Sequence, residues 1–407
     1  MTTWPKENNT DKALKIILFL ISPFIAFLYS LRTIKTKSSY VVFFLFCVFF
    51  GLSFSVSAGK DEHNKSDGAS YREKFERYKY VSDSEFYKRF NEYFTFEEGA
   101  KDYYFDTVAF YVSRVTDNYH IMFMVFAIVF AYFGLKSLRF LTSEPKFDAS
   151  LSCLILVYLF MINQIFNING VRFWTAAWIG VYCIFQIFRN GNKKYFLLAL
   201  CTPFFHGAFW VYILVITFAY FSKWTQKVWV VLFFISFFVS NISVDFVREI
   251  IGYLPPFLAG MAQSYTDAEY IQERSAKGSG FYWVAEIFRF SVKVYMNYLV
   301  WLFIKNSSRI TANPKTKSLF AFLLIWMTFA NFTMPIPSLG GRFMALAYPV
   351  IAYIWLVNFK GVKYQKVLHA MPFVFLFSFY TQFLLYKNVL DISFYFSSPF
   401  YLLYKYF

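Results

Sequence analysis

Long apolar runs alternate with short charged connections along this chain. The runs cover residues 13–31, 40–56, 120–135, 150–166, 173–188, 195–221, 228–241, 281–304, 319–332, 343–358 and 367–386. A helix needs ~20 apolar residues to cross the bilayer core, and helices satisfy their own backbone groups there. The pattern predicts an all-α, polytopic integral membrane protein with about 12 transmembrane helices, range about 10–13, forming one membrane domain over 1–407. The run 195–221 is interrupted at Pro203, His206 and Gly207. It reads as one tilted helix or as two short segments meeting in a turn, and the second reading is preferred.

Charge on the connections gives the orientation. Those at 32–39, 136–148, 189–194, 222–227, 305–317 and 359–366 hold 18 Lys/Arg and two acids, Glu144 and Asp148. The opposite short connections hold almost nothing basic except Arg172 and Arg342. Lys/Arg excess marks cytoplasmic loops. The N-terminus, 57–118, 163–172, the His206 turn, 242–280 and 335–342 therefore face outside, provided that 195–221 crosses twice. The external region 57–118 carries 13 Asp/Glu and 10 Lys/Arg with aromatics such as Tyr71, Phe75, Tyr78 and Phe86 spaced between them. That spacing predicts short amphipathic helices lying on the membrane face, with a further helix over 105–115. The second external region, 242–280, ends in a flexible Lys277-Gly-Ser-Gly280 joint. The tail, 387–407, is aromatic and expected at the interface.

Composition agrees: 58% of residues are hydrophobic and 16% charged, where soluble domains carry roughly a quarter charged. A net charge of +16 would suggest nucleic acid, but most of it sits where insertion topology requires it, so no nucleic-acid partner is expected. Cys47, Cys153, Cys183 and Cys201 lie in apolar stretches without a C-x-x-C pair, as small buried residues. No cleavable signal peptide is evident at 16–31. There is no Walker loop, H-E-x-x-H, Gly-x-Ser-x-Gly or D-x-D motif, and His63, His120, His206 and His369 are scattered. A nucleotide-fuelled enzyme and a metal centre are excluded, and no cofactor is expected.

Five groups carry candidate chemistry. Arg172, at the outer start of a span, opposes the insertion bias. It reads either as a headgroup snorkel or as an anion site, for which its planar fork suits phosphate oxygens, with Asn167 and Asn169 adding hydrogen bonds. Arg342, after Gly340 and Gly341, is placed the same way. His206, at the helix break, is a packing residue, a general base or a phosphate donor. Glu286, Arg289 and Lys293 share one face of a span, as a self-paired cluster or as part of a functional cavity. Asp67 and Asp106 are solvated carboxylates or groups that activate a sugar hydroxyl. Four cations and a histidine near the outer face suit a lipid-delivered pyrophosphate, which fixed charges stabilise as it departs.

These residues give a resemblance. The chain resembles the EpsG-like, Wzy-type polysaccharide (O-antigen) polymerases of bacteria. The matching features are Asp67 to Tyr71 after the Gly51-Leu-Ser end of the second span; Asp106 before the third; Asn169-Gly-Val-Arg172; Phe205-His206-Gly207; and Arg342 followed by Tyr348. Where the family often has Gln after the Arg and Ser after the His, this chain has Phe173 and Gly207. The resemblance implies a glycosyltransferase of GT-C-like architecture in the bacterial inner membrane. It would join undecaprenyl-pyrophosphate-linked oligosaccharide repeat units at the outer face without metal. The implied partners are lipid-linked oligosaccharides, membrane lipids, a chain-length regulator and a flippase. Arg172 and Arg342 would take the donor pyrophosphate, with His206 assisting. Asp67 or Asp106 would orient the acceptor, and Arg289, Lys293, Glu286, Asn167, Asn169 and Tyr348 would bind substrate. The alternatives are a flippase or exporter of the same glycans, a polysaccharide ligase, and a membrane O-acyltransferase.

Overall fold

Ser22 and Pro23 split the first apolar run, which the sequence reads as one span. Ser22 has extended backbone and its hydroxyl accepts from Ile25 N–H, so it caps a new helix that has proline in its first turn. The run is therefore two helices, α1 (Asn9–Ile21) and α2 (Pro23–Ser30). The computed structural model describes residues 4–56, 67–97, 102–222, 226–238, 282–336 and 338–407, plus scattered positions within 248–267. Every element among them is helical. Most of the expected external region 242–280, and 57–66 and 98–101 of the first, lie outside the described residues.

The chain continues with α3 (Lys37–Ser53), then α4 (Asp67–Tyr78), α5 (Asp83–Phe94) and α6 (Tyr104–Ser113) in the region expected outside, then α7 (Tyr119–Thr142) and α8 (Leu151–Phe160). A 3₁₀ turn, Ile165–Gly170, leads into α9 (Val171–Ile184), which ends in a π-helical turn, Phe185–Arg189. Next come α10 (Tyr195–Ala199), α11 (Thr202–Phe205), α12 (Phe209–Phe221) and α13 (Gln226–Ile235). After the second external region follow α14 (Tyr282–Lys305), α15 (Ser307–Thr311), α16 (Pro314–Phe332), α17 (Gly340–Met344) and α18 (Ala347–Phe359). The last are α19 (Val362–His369), α20 (Met371–Val374), α21 (Leu376–Val389), α22 (Ser393–Phe396) and α23 (Pro399–Tyr406). Five helical stretches among the described residues are long and apolar enough to cross a membrane: Tyr119–Thr142, Leu151–Arg189, Glu286–Lys305, Gly340–Phe359 and Lys363–Val389. Shorter apolar helices such as Lys37–Ser53 and Phe209–Phe221 accompany them.

The 195–221 run folds as a hairpin. Phe196 meets Tyr220 edge-on with ring centroids 5.2 Å apart, so the chain reverses at His206–Ala208. Helix packing is close where small residues permit it. A Cβ added at Gly51 of α3 would lie 2.5 Å from Ala127 Cβ and 2.6 Å from Phe123 O of α7. Buried aromatic tips find acceptors: Trp178 Nε1 donates to Asn163 O, Trp326 Nε1 to Phe343 O and the Tyr212 hydroxyl to Gly180 O. Many large apolar side chains stay exposed, among them Ile17, Leu20, Leu28, Phe379 and Phe383. A membrane protein turns such side chains to lipid.

The Lys/Arg-rich connections converge on one end of the bundle. Buried Glu144 accepts from Arg189 (2.6 Å), Lys315 (2.9 Å) and the Tyr353 hydroxyl (2.8 Å). Lys360 pairs with Asp148, and Lys35 donates to Phe147 O at 2.8 Å. Burial pushes the Glu144 carboxyl up, but the bonds from Lys315, Arg189 and Tyr353 outweigh it and hold the group below its ordinary range. Lys15 is wholly buried between Glu7 (2.6 Å) and Asp11 (2.7 Å) and donates to Thr36 and Ser38. The N-terminus therefore lies at this Lys/Arg-rich end and not at the opposite, outer end where the loop charges placed it. Arg172, His206 and helices α4–α6 lie at the ends of their segments opposite the Glu144 cluster.

Candidate functional site

The polar site grows from the turn that precedes α9. Asn163 Nδ2 donates to Trp174 O and Asn163 Oδ1 accepts from Asn167 Nδ2 at 2.8 Å, which pins the 3₁₀ turn to the helix that it enters. Two residues on, Asn169 Oδ1 accepts from Gly68 N at 3.0 Å. That bond seats the first turn of α4 against the start of α9. A side chain at Gly68 would collide with it, because an added Cβ would lie 2.5 Å from Asn169 Oδ1. The two asparagines thus hold backbone in place.

Arg172, in the first turn of α9, points at α4 and α6. Its Nη1 donates to both Asp102 oxygens, at 3.0 and 3.2 Å, and its Nε donates to the Tyr71 hydroxyl at 3.2 Å. Asp102 is the buried partner, with 5% of its side chain exposed against 37% for Arg172. It also accepts from the backbone N–H of Gly207, beside His206. Burial pushes the Asp102 carboxyl up, and Arg172 and Gly207 offset part of that. Tyr71 stacks on Phe105 at 4.7 Å, and α4 is tied to α6 by the Tyr78 hydroxyl donating to Asp106. Asp67 is exposed one turn before Tyr71 on the same face of α4, and its Oδ2 would lie 3.7 Å from a Cβ added at Gly170.

Phe173 is the hub. The His206 ring meets it edge-on at 5.3 Å, Phe343 meets it at 5.4 Å, and the Arg342 guanidinium lies over it, 5.5 Å from the centroid. Among the described residues Arg342 has no carboxylate partner. The neighbouring glycines differ in role. An added Cβ at Gly340 would lie 2.5 Å from Met334 Cα, so Gly340 serves packing, while Gly341 is exposed and open. His206 sits in the turn between α11 and α12. Burial and the Arg172 and Arg342 charges push its imidazole down to about 3, so the ring is neutral at pH 7. Its Nδ1 accepts from Ala208 N at 3.2 Å, which assigns the proton to Nε2 and makes that edge a donor.

Sequence reasoning brought out Arg172, His206, Arg342 and Asp67, and the structure gathers them around Phe173 and the start of α4. It places the other expected residues differently. Asp106 is engaged by Tyr78. Glu286 and Arg289 pair with each other at 2.6 Å on an exposed face, with 50% and 65% of their side chains accessible. With Lys293 they lie on α14, which packs against α15, α18, α20 and α21 and not against α9, α11 or α17 in the main contacts of the fold. Tyr348 is buried with its ring against Phe375. Asp102 was missed. It stands four residues before Asp106, and nothing local distinguishes the two.

Fold and site together define a helical membrane protein with a cationic, aromatic-floored polar site at one end of its bundle. The chain belongs to the EpsG family, whose model matches residues 45–406. No curated protein and no solved structure matches it.

Proposed function

We propose that the protein is a polysaccharide polymerase of GT-C-like, about 12-span architecture. It joins undecaprenyl-pyrophosphate-linked oligosaccharide repeat units at the outer face of the bacterial inner membrane. The observation that carries this reading is Arg342, a cation held over Phe173 beside a donor-configured His206 and, among the described residues, without a carboxylate of its own. Family membership points the same way.

In this mechanism an acceptor sugar hydroxyl attacks the anomeric carbon of the donor chain. The bond from that carbon to the pyrophosphate oxygen breaks, and the electron pair leaves on the pyrophosphate. Arg342 and the Nε2–H of His206 take up that charge, a role for which prearranged donors are most effective. Asp67, exposed and close to Gly170, receives the hydroxyl proton. Arg172 is already matched by Asp102, so its principal work is to hold α4, and with it Asp67, against α9. A chain-length regulator and a flippase are the expected protein partners.

Deleting the gene tests the class. Loss of a polymerase leaves single repeat units displayed. Loss of a flippase leaves none, and loss of an acyltransferase leaves full chains without the acyl group. The last two outcomes would each reject the proposal.

Asp102→Asn keeps the shape but removes the charge that orients Arg172. Polymer yield is expected to fall on the order of 10²-fold, the scale of an angstrom-level misplacement of a reacting group. Because Asp102 is a positioning residue, the loss should appear in kcat rather than KM in a reconstituted assay. A wild-type kcat would remove it from the mechanism.

A further inference from the structure

A large apolar cavity lies away from the cationic site. It encloses about 520 Å³ between α2, α3, α7, α8 and α21. Its wall is almost wholly apolar and rich in rings, with Phe27, Phe46, Phe50 and Phe130 on the inner side. Packed interiors leave few voids larger than a water, and apolar cavities stay dry. A space of this size is in the range of a ligand site.

Two features of its shape decide the occupant. Leu28, Phe379 and Phe383 line the cavity and are also exposed on the protein surface, at 49%, 56% and 59%. The space therefore opens sideways between α2 and α21, where lipid would lie. At its other end stand Met161, Gln164 and Ile165. Gln164 is bonded there to the Tyr386 hydroxyl at 2.6 Å, and Ile165 begins the 3₁₀ turn that ends at Gly170, two residues before Arg172. One wall is thus shared by the apolar space and the polar site. The α3 wall, from Phe43 to Phe50, gives about 10 Å of height at 1.5 Å per residue. A long chain can enter from the side and run down this wall while its head stays at the polar site.

We infer that this cavity holds the polyisoprenoid tail of the lipid-linked substrate, entering between α2 and α21 and lying below the 165–170 turn. The inference rests on the polymerase reading for the identity of the lipid. Flat rings along the wall suit the planar alkenes of an isoprenoid. Among the described residues the polar groups on the wall include no cation to hold a phospholipid head.

The test uses the full-length protein in nanodiscs with a diazirine-bearing polyprenyl pyrophosphate that carries no sugar. A diazirine phosphatidylethanolamine is the comparison, and crosslinked peptides are mapped. Labelling is expected on α2 and α21, with excess unlabelled polyprenyl pyrophosphate reducing it. Ala131→Phe fills the cavity and should lower labelling at least tenfold. Leu28→Trp narrows the lipid-facing portal without disturbing the interior and should do the same if the first variant misfolds. No labelling there, labelling unchanged in Leu28→Trp, or equal labelling by the phospholipid without competition would each overturn the inference. The readout needs no turnover. Labelling retained by a protein that fails the deletion test would reject the polymerase reading and leave the cavity assignment standing.

Discussion

Arg342→Ala should reduce polymer formation by about 10²–10³-fold, the usual cost of removing one prearranged donor from a developing negative charge. The fold should survive. Arg342 is half-buried, lies in a five-residue helix, and contacts Phe173 through its charged plane rather than through an ion pair. Its loss strands no buried carboxylate. Arg342→Lys should recover only part of the activity, because an ammonium keeps the charge but not the planar fork that meets two phosphate oxygens. Complementing a deletion strain with each variant, at protein levels matched by immunoblot, gives the measurement. Chains of normal length from Arg342→Ala would sink the role assigned to it.

Glu144→Gln should act on stability instead, by about 3–5 kcal/mol, the cost of breaking a buried ion pair by removing one partner. Glu144 side-chain exposure is 6% and that of Arg189 is 16%, so the arginine would be left charged and poorly solvated. Lys315 is nearly half exposed and contributes little. The pH dependence has a definite sign. The folded-state carboxyl is depressed, so its contribution is complete above the unfolded value of about 4.3. It is lost as pH falls through the lower folded value. Thermal unfolding in detergent should show a lowered midpoint for Glu144→Gln at pH 7, with the gap to wild type closing in acid. Equal midpoints at pH 7 would refute the claim.

The apolar helices were legible because each depends on a long local signal, and the loops that share the Lys/Arg bias do gather at one end of the bundle. The N-terminus was not, because Lys15 bonds to Thr36 and Ser38 and brings α1 to that same end. Arg172 and Arg342 were legible as exceptions to that bias, and His206 because proline and glycine break the helix beside it. Partnership was not legible. Asp102 and Asp106 are four residues apart, and only the approach of α9 selects the first for Arg172. Phe173 looked like a departure from its family's pattern and is the surface on which two site residues rest. Spacing placed Glu286, Arg289 and Lys293 on one face correctly. It carried no information on which way that face turns, and the first two pair with each other on an exposed surface. Ser22 reads as a minor polar interruption until its extended backbone shows it capping a second helix.

The Glu144 cluster also bears on how the molecule can move. It joins α7, α9, α16 and α18 through their termini or side chains at the Lys/Arg-rich end. A carrier that works by alternating access must part its helices at each end in turn. Parting them here would break a buried ion cluster that ties four helices together at this end. A bundle tied at this end suits the proposed one-sided enzyme better than a carrier that opens at both ends in turn.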